Sequence, residues 1–129
     1  MNGIGRLIGA TILLVGLTGG AAAGEPTDMT AQEFRALITG NSIVGDWAGR
    51  PYKQYFAPGG GTDYVEKGKS MTHGRWRIAD DGRYCSVWPP SANESCYHVQ
   101  RDGNTLVWHT DGTTDTYRSQ VVEGRQVDW

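Results

Sequence analysis

The side chains with most chemistry to offer are three histidines (His73, His98, His109), two cysteines (Cys85, Cys96) and five tryptophans. A metal centre needs three or four ligands at suitable spacing. His98 and His109 fall on one face of neighbouring strands, with His109 opposite Cys96 and His98 on the diagonal, but no third ligand stands near them. His73 sits in the stretch Lys69-Ser70-Met71-Thr72-His73 with no visible partner. No metal is expected. The C-x10-C spacing of the cysteines matches neither a redox C-x-x-C pair nor a zinc pattern, so a structural disulfide is expected.

Catalytic roles stay empty. Ser and Thr residues lie in turns and strands without a G-x-S-x-G elbow, and P-loop, H-E-x-x-H and dinucleotide fingerprints are lacking. Asp80, Asp81, Asp102 and Asp111 belong to turns, where Asp has a structural task. No catalytic residue and no cofactor is expected. The aromatic residues can act by stacking on a ligand, with Trp47, Trp76, Trp88, Trp108 and Tyr117 as candidate contacts. The opposing reading is that these rings fill the interior, which the sequence favours over a partial cavity.

The chain of 129 residues has a formal net charge of −2 and a mean hydropathy of −0.48. A polytopic membrane protein is excluded, and a nucleic-acid partner lacks the basic charge it needs. Arg75, Arg77, Arg83, Arg101 and Arg118 read as parts of mixed solvated faces. Residues Met1–Ala23 have the order of a cleaved signal peptide: Arg6, an apolar run from Leu7 to Leu17, then Ala21-Ala22-Ala23. The run is too short to cross a bilayer, which takes roughly 20 residues. The expected product is periplasmic or secreted, without a membrane association once the signal is removed, and of undetermined oligomeric state.

Residues 24–41 read as a leader and a short helix. Thr30-Ala31-Gln32-Glu33 has capping-box form, Phe34, Leu37 and Ile38 make an apolar stripe, and Gly40-Asn41 ends it. Residues 42–129 carry eight strand signals: Ile43–Trp47, Tyr52–Ala57, Asp63–Glu66, Gly74–Ala79, Tyr84–Trp88, Ser95–Arg101, Thr105–Thr110 and Thr116–Val122. Connections are too short for parallel crossovers. The expected fold is all-β: an eight-stranded antiparallel up-and-down meander, closed like a barrel, with one short N-terminal helix.

Alternation sorts the strands' two faces. A three-residue loop at Asp80-Asp81-Gly82 pairs Ile78 with Tyr84. A two-residue turn at Asp102-Gly103 pairs Val99 with Leu106 and Tyr97 with Trp108, and the same turn type at Asp111-Gly112 brings Tyr117 beside Leu106. Inward then go Trp76, Ile78, Tyr84, Trp88, Tyr97, Val99, Leu106, Trp108, Tyr117 and Val121. Outward go Arg75, Arg77, Cys85, Cys96, His98, His109 and Arg118, so the disulfide is expected to staple the outer face.

Two resemblances attach to these residues. Gly45-Asp46-Trp47 on the first strand, with Arg118 on the last, resembles the lipocalin and calycin barrels, in which a G-x-W tryptophan packs beneath an arginine; Gly74-Arg75-Trp76 repeats the motif. The run Gly74-Arg75-Trp76-Arg77-Ile78, Asp81-Gly82-Arg83-Tyr84-Cys85 and Glu94-Ser95-Cys96-Tyr97 resembles a group of small exported bacterial proteins of uncharacterised function. That likeness implies a β-rich exported domain with paired cysteines and no particular activity. The leading expectation is a non-enzymatic barrel that binds a small apolar or aromatic ligand. The alternative is a protein-interaction or inhibitor module that meets a periplasmic protein through the 89–95 loop. Periplasmic lysozyme inhibitors are similar small disulfide-bearing barrels, but their Ser-rich inhibitory loop has no counterpart here.

Overall fold

The computed structural model describes residues 24–129; the expected signal segment Met1–Ala23 lies outside the described residues. The elements are β1 (Thr27–Asp28), α1 (Ala31–Ile38), β2 (Ser42–Trp47), β3 (Arg50–Phe56), β4 (Gly61–Glu66), β5 (Thr72–Ile78), β6 (Tyr84–Val87), β7 (Ser95–Asp102), β8 (Thr105–His109) and β9 (Thr116–Val122). Each strand from β2 to β9 pairs antiparallel with the next, and β9 returns to pair with β2. The result is a closed eight-stranded up-and-down barrel. β6 is four residues long against eight in β7, and β1 takes the place beside β7 that β6 leaves open, pairing Thr27 with Arg101 and Asp28 with Gln100. Closure and this added strand leave few unpaired backbone groups at an edge.

The helix closes one end. Thr30 caps it by accepting the Glu33 amide at 3.1 Å, and the turn after it is tied to β3 through Gly40 N donating to Phe56 O and Phe56 N donating to Asn41 O. Phe34 and Ile38 are fully buried against Phe56, Ile78 and Leu106, which sit near the same end of their strands. Arg35 Nη2 donates to Ile78 O at 2.9 Å and fastens the helix to β5.

Turn chemistry decides the register. Ile78 pairs with Tyr84, as the core pattern requires, around a loop in which Gly82 takes φ +87°. At the β7–β8 hairpin the expected pairing is corrected by two residues: Val99 faces Trp108 and Arg101 faces Leu106. The reason is that Gly103, at φ +60°, is the first central residue of the turn and Asn104 the second, so the turn has type II′ character rather than Asp-Gly at its centre. The Asp111-Gly112 turn is corrected likewise. Thr110 and Thr113 join hydroxyls at 2.6 Å and Thr110 donates to Asp115 O, which builds a longer loop and sets Tyr117 against Trp108, not Leu106. A shift of two residues keeps every side chain on its face.

Cys85 and Cys96 are direct cross-strand partners and are bonded. They share the outer face with Arg77, whose guanidinium forks onto Glu94 at 2.6 and 2.9 Å. Cys85 nevertheless has no exposed surface. No helix among the described residues is long and apolar enough to cross a membrane.

Candidate functional site

The lumen is not filled. A cavity of about 690 Å³ opens at the end opposite the helix, among walls that include Trp47, Tyr52, Tyr64, Trp88, Tyr97 and Trp108. The sequence expectation of a filled interior is therefore corrected, and two glycines supply the reason. A methyl group at Gly45 would lie 2.9–3.0 Å from the Tyr52 ring and hydroxyl, and one at Gly74 would lie 2.6 Å from Trp88 Cε3. Tyr52 is the cross-strand partner of Gly45, and the register that pairs Arg75 with Val87 puts Trp88 beside Gly74. Each ring thus lies against the barrel wall on a residue without a side chain instead of projecting into the lumen. Both glycines are the first residues of the two G-x-W motifs.

The candidate contacts divide by depth. Trp47, Trp88 and Trp108 line the cavity. Tyr117 stacks on Trp47 with centroids 4.0 Å apart, while Arg118 reaches Asp102 at 3.7 Å. Trp76 lies deeper, edge-on to Phe56 at 5.6 Å, with its indole N–H given to Ala57 O. Tyr84 meets both Phe56 and Trp108 edge-on, so the helix-side core and the cavity share one aromatic lattice.

A polar group that sequence reasoning passed over lies inside these aromatic walls. Gln54 Nε2 donates to Thr62 Oγ1 at 2.9 Å and to Tyr84 Oη at 3.2 Å, and Ser86 Oγ accepts the Trp88 indole N–H at 3.1 Å. Gln54, Tyr84 and Ser86 are all more than nine-tenths buried and all line the cavity. Burial pushes the Tyr52 hydroxyl up to about 12, with the Asp46 charge adding to it and the Ser119 hydrogen bond opposing it. Burial likewise raises Tyr64, helped by the nearby Glu66 charge, and raises Tyr84 against the hydrogen bonds it makes. These phenols stay neutral across the physiological range. An alternation of period two in β3 could have pointed to Gln54, because it shares a face with Tyr52 and Phe56.

Charge is confined to the rim and the outer wall. Glu66 accepts from Lys69 at 3.1 Å and from the Tyr64 hydroxyl at 3.1 Å, with Arg50 3.9 Å away; the Lys69 hydrogen bond first, then that of Tyr64, holds its carboxyl below the usual range. His73 is held by Asp63, Nδ1 to Oδ1 at 2.5 Å, and Arg125 bonds the other carboxylate oxygen. Burial works against the Asp63 charge, but the Arg125 and His73 bonds outweigh it and lower its pKa. His98 and His109 are direct partners on the outer wall, their rings stacked at 5.0 Å; the expected pairing of His109 with Cys96 moves with the register. His98 Nε2 meets Asp28 at 2.9 Å and ties β7 to β1, while His109 Nε2 meets Gln100 Oε1 at 2.9 Å and ties β8 to β7. Cys85, Glu94 and Cys96 are the one metal-spaced group among the described residues, and their two sulfurs are joined to each other.

The arrangement can enclose a flat molecule among rings and meet it with neutral hydrogen-bonding groups at depth. Comparison of the chain with family models, with curated proteins and with solved structures finds no match.

Proposed function

We propose that this chain is an exported, non-enzymatic barrel that holds a small, largely aromatic molecule in its lumen. The observation that carries the reading is the aromatic-walled cavity of about 690 Å³. That volume falls within the ~300–1,000 Å³ typical of ligand sites. Export is supported by the Cys85–Cys96 bond, since such bonds persist in oxidising compartments. The non-enzymatic reading draws support from the imidazoles, of which only His73 borders the cavity. His98 and His109 stand on the outer wall, and His73 is held at the rim by Asp63.

Titration with naphthalene, followed by intrinsic tryptophan fluorescence, tests the reading. Trp47, Trp88 and Trp108 line the cavity, so a saturable quench or shift with one-to-one stoichiometry is expected. A folded protein whose emission does not change up to the solubility limit of naphthalene and of its hydroxyl derivative refutes it.

A further inference from the structure

Resting on the lumen reading, we infer that the molecule held there enters with an uncharged hydrogen-bond donor, an N–H or O–H, which the amide oxygen of Gln54 accepts. The orientation of that amide follows from its neighbours. Thr62 Oγ1 gives its hydrogen to Tyr55 O at 2.8 Å, so toward Gln54 it can only accept. The Gln54 nitrogen therefore faces Thr62 and Tyr84, and Oε1 faces the other way. No donor among the described residues reaches Oε1, although Gln54 is only 7% exposed. No buried side-chain oxygen among the described residues lacks a partner, so this oxygen borders the open lumen that Gln54 lines. An acceptor that faces the lumen with no protein donor on it is free to take a hydrogen from a bound molecule.

The donor is neutral because the surroundings are. The groups around the Gln54 amide are the Thr62 and Tyr84 hydroxyls, and the carboxylate nearest the cavity, Glu66, stands at the rim and is already held by Lys69 and Tyr64. An ammonium carried to the depth of Gln54 loses its hydration without gaining an opposite charge. A carboxylate or ether brings a second acceptor against the first.

Three probes of one ring system separate the outcomes by calorimetric titration: naphthalene, 2-naphthol, which adds a donor, and its methyl ether, which adds only an acceptor. The naphthol is expected to bind about tenfold tighter than the methyl ether, the size of one well-made hydrogen bond. Gln54→Leu is expected to abolish that preference while naphthalene still binds. Equal affinity of naphthol and ether in the native protein overturns the inference and leaves the lumen reading standing. So does a preference that persists in a folded Gln54→Leu variant. Failure of all three probes to bind overturns the lumen reading itself. The comparison on the native protein needs no variant, so it decides the matter even if Gln54→Leu does not fold.

Discussion

Gly74→Ala tests why the lumen is open. The new methyl carbon would sit 2.6 Å from Trp88 Cε3, 2.9 Å from Trp88 Cδ2 and 2.7 Å from the Val87 carbonyl oxygen. Ordinary carbon contacts lie at ~3.5–4.0 Å, so the indole must retreat by about 1 Å. Trp88 borders the cavity, so a retreat in that direction narrows the lumen. The Val87 oxygen belongs to the paired backbone of β6 and cannot retreat so easily. Overpacking of this kind costs ~1–3 kcal/mol, and the lower entropy of the unfolded Ala chain returns ~0.4–1, for a net loss of about 1–2 kcal/mol. Urea unfolding with the disulfide intact measures that loss, and naphthalene titration should show weaker binding in the same variant. In a Trp88→Ala background the Gly74→Ala cost should shrink to the share set by the Val87 oxygen, because the colliding ring is gone. Gly45→Ala should cost less, since only the movable Tyr52 side chain stands in its way. A Gly74→Ala protein as stable as the parent, with undiminished ligand affinity, would refute the account of rings resting on glycines.

Three further outcomes follow from the same geometry. Replacing both cysteines by alanine removes a cross-link of sequence separation 11 and should lower stability by about 3 kcal/mol, read from the urea midpoint of parent and variant. On alkaline titration, Tyr52, Tyr64 and Tyr84 have folded-state pKa values above the unfolded ~10, so the stability they contribute is complete below ~10 and lost as pH rises through their folded values, about 12 for Tyr52. Ultraviolet absorbance should therefore show these three phenols ionising only together with unfolding; their smooth titration near ~10 in a protein whose circular dichroism is unchanged would contradict this. Thr30→Ala removes the oxygen that accepts the Glu33 amide and should cost ~1 kcal/mol in thermal unfolding, because α1 stops the barrel's closed end.

Much of the architecture is written in short-range pattern. Strand signals, turn residues and the capping Thr30 place eight strands and one helix within a residue or two of their observed bounds, because each depends on neighbours along the chain. The facing of residues is equally legible. Trp76 and Ser86 look inward, and Arg77 and Cys85 look outward, by simple alternation. The same rule is blind to a shift of two, which is why His109 meets His98 rather than Cys96. Gly103 and the Thr110–Thr113 contact choose between registers that the pattern treats as equal.

The amino-acid sequence by itself determined the all-β class, the antiparallel order, the inward rings and the pairing of the two cysteines. The tertiary structure alone decided whether those rings fill the barrel or line it. Ring volume is a property of composition, but ring direction depends on the residue across the strand, and Gly45 and Gly74 let Tyr52 and Trp88 lie flat. It also decided that Gln54, a polar residue with an unremarkable position in the chain, stands among aromatic walls with its amide nitrogen on Thr62 and Tyr84. Strand closure brings together residues from β3, β4 and β6, and no local pattern encodes which polar atom such a meeting leaves without a partner.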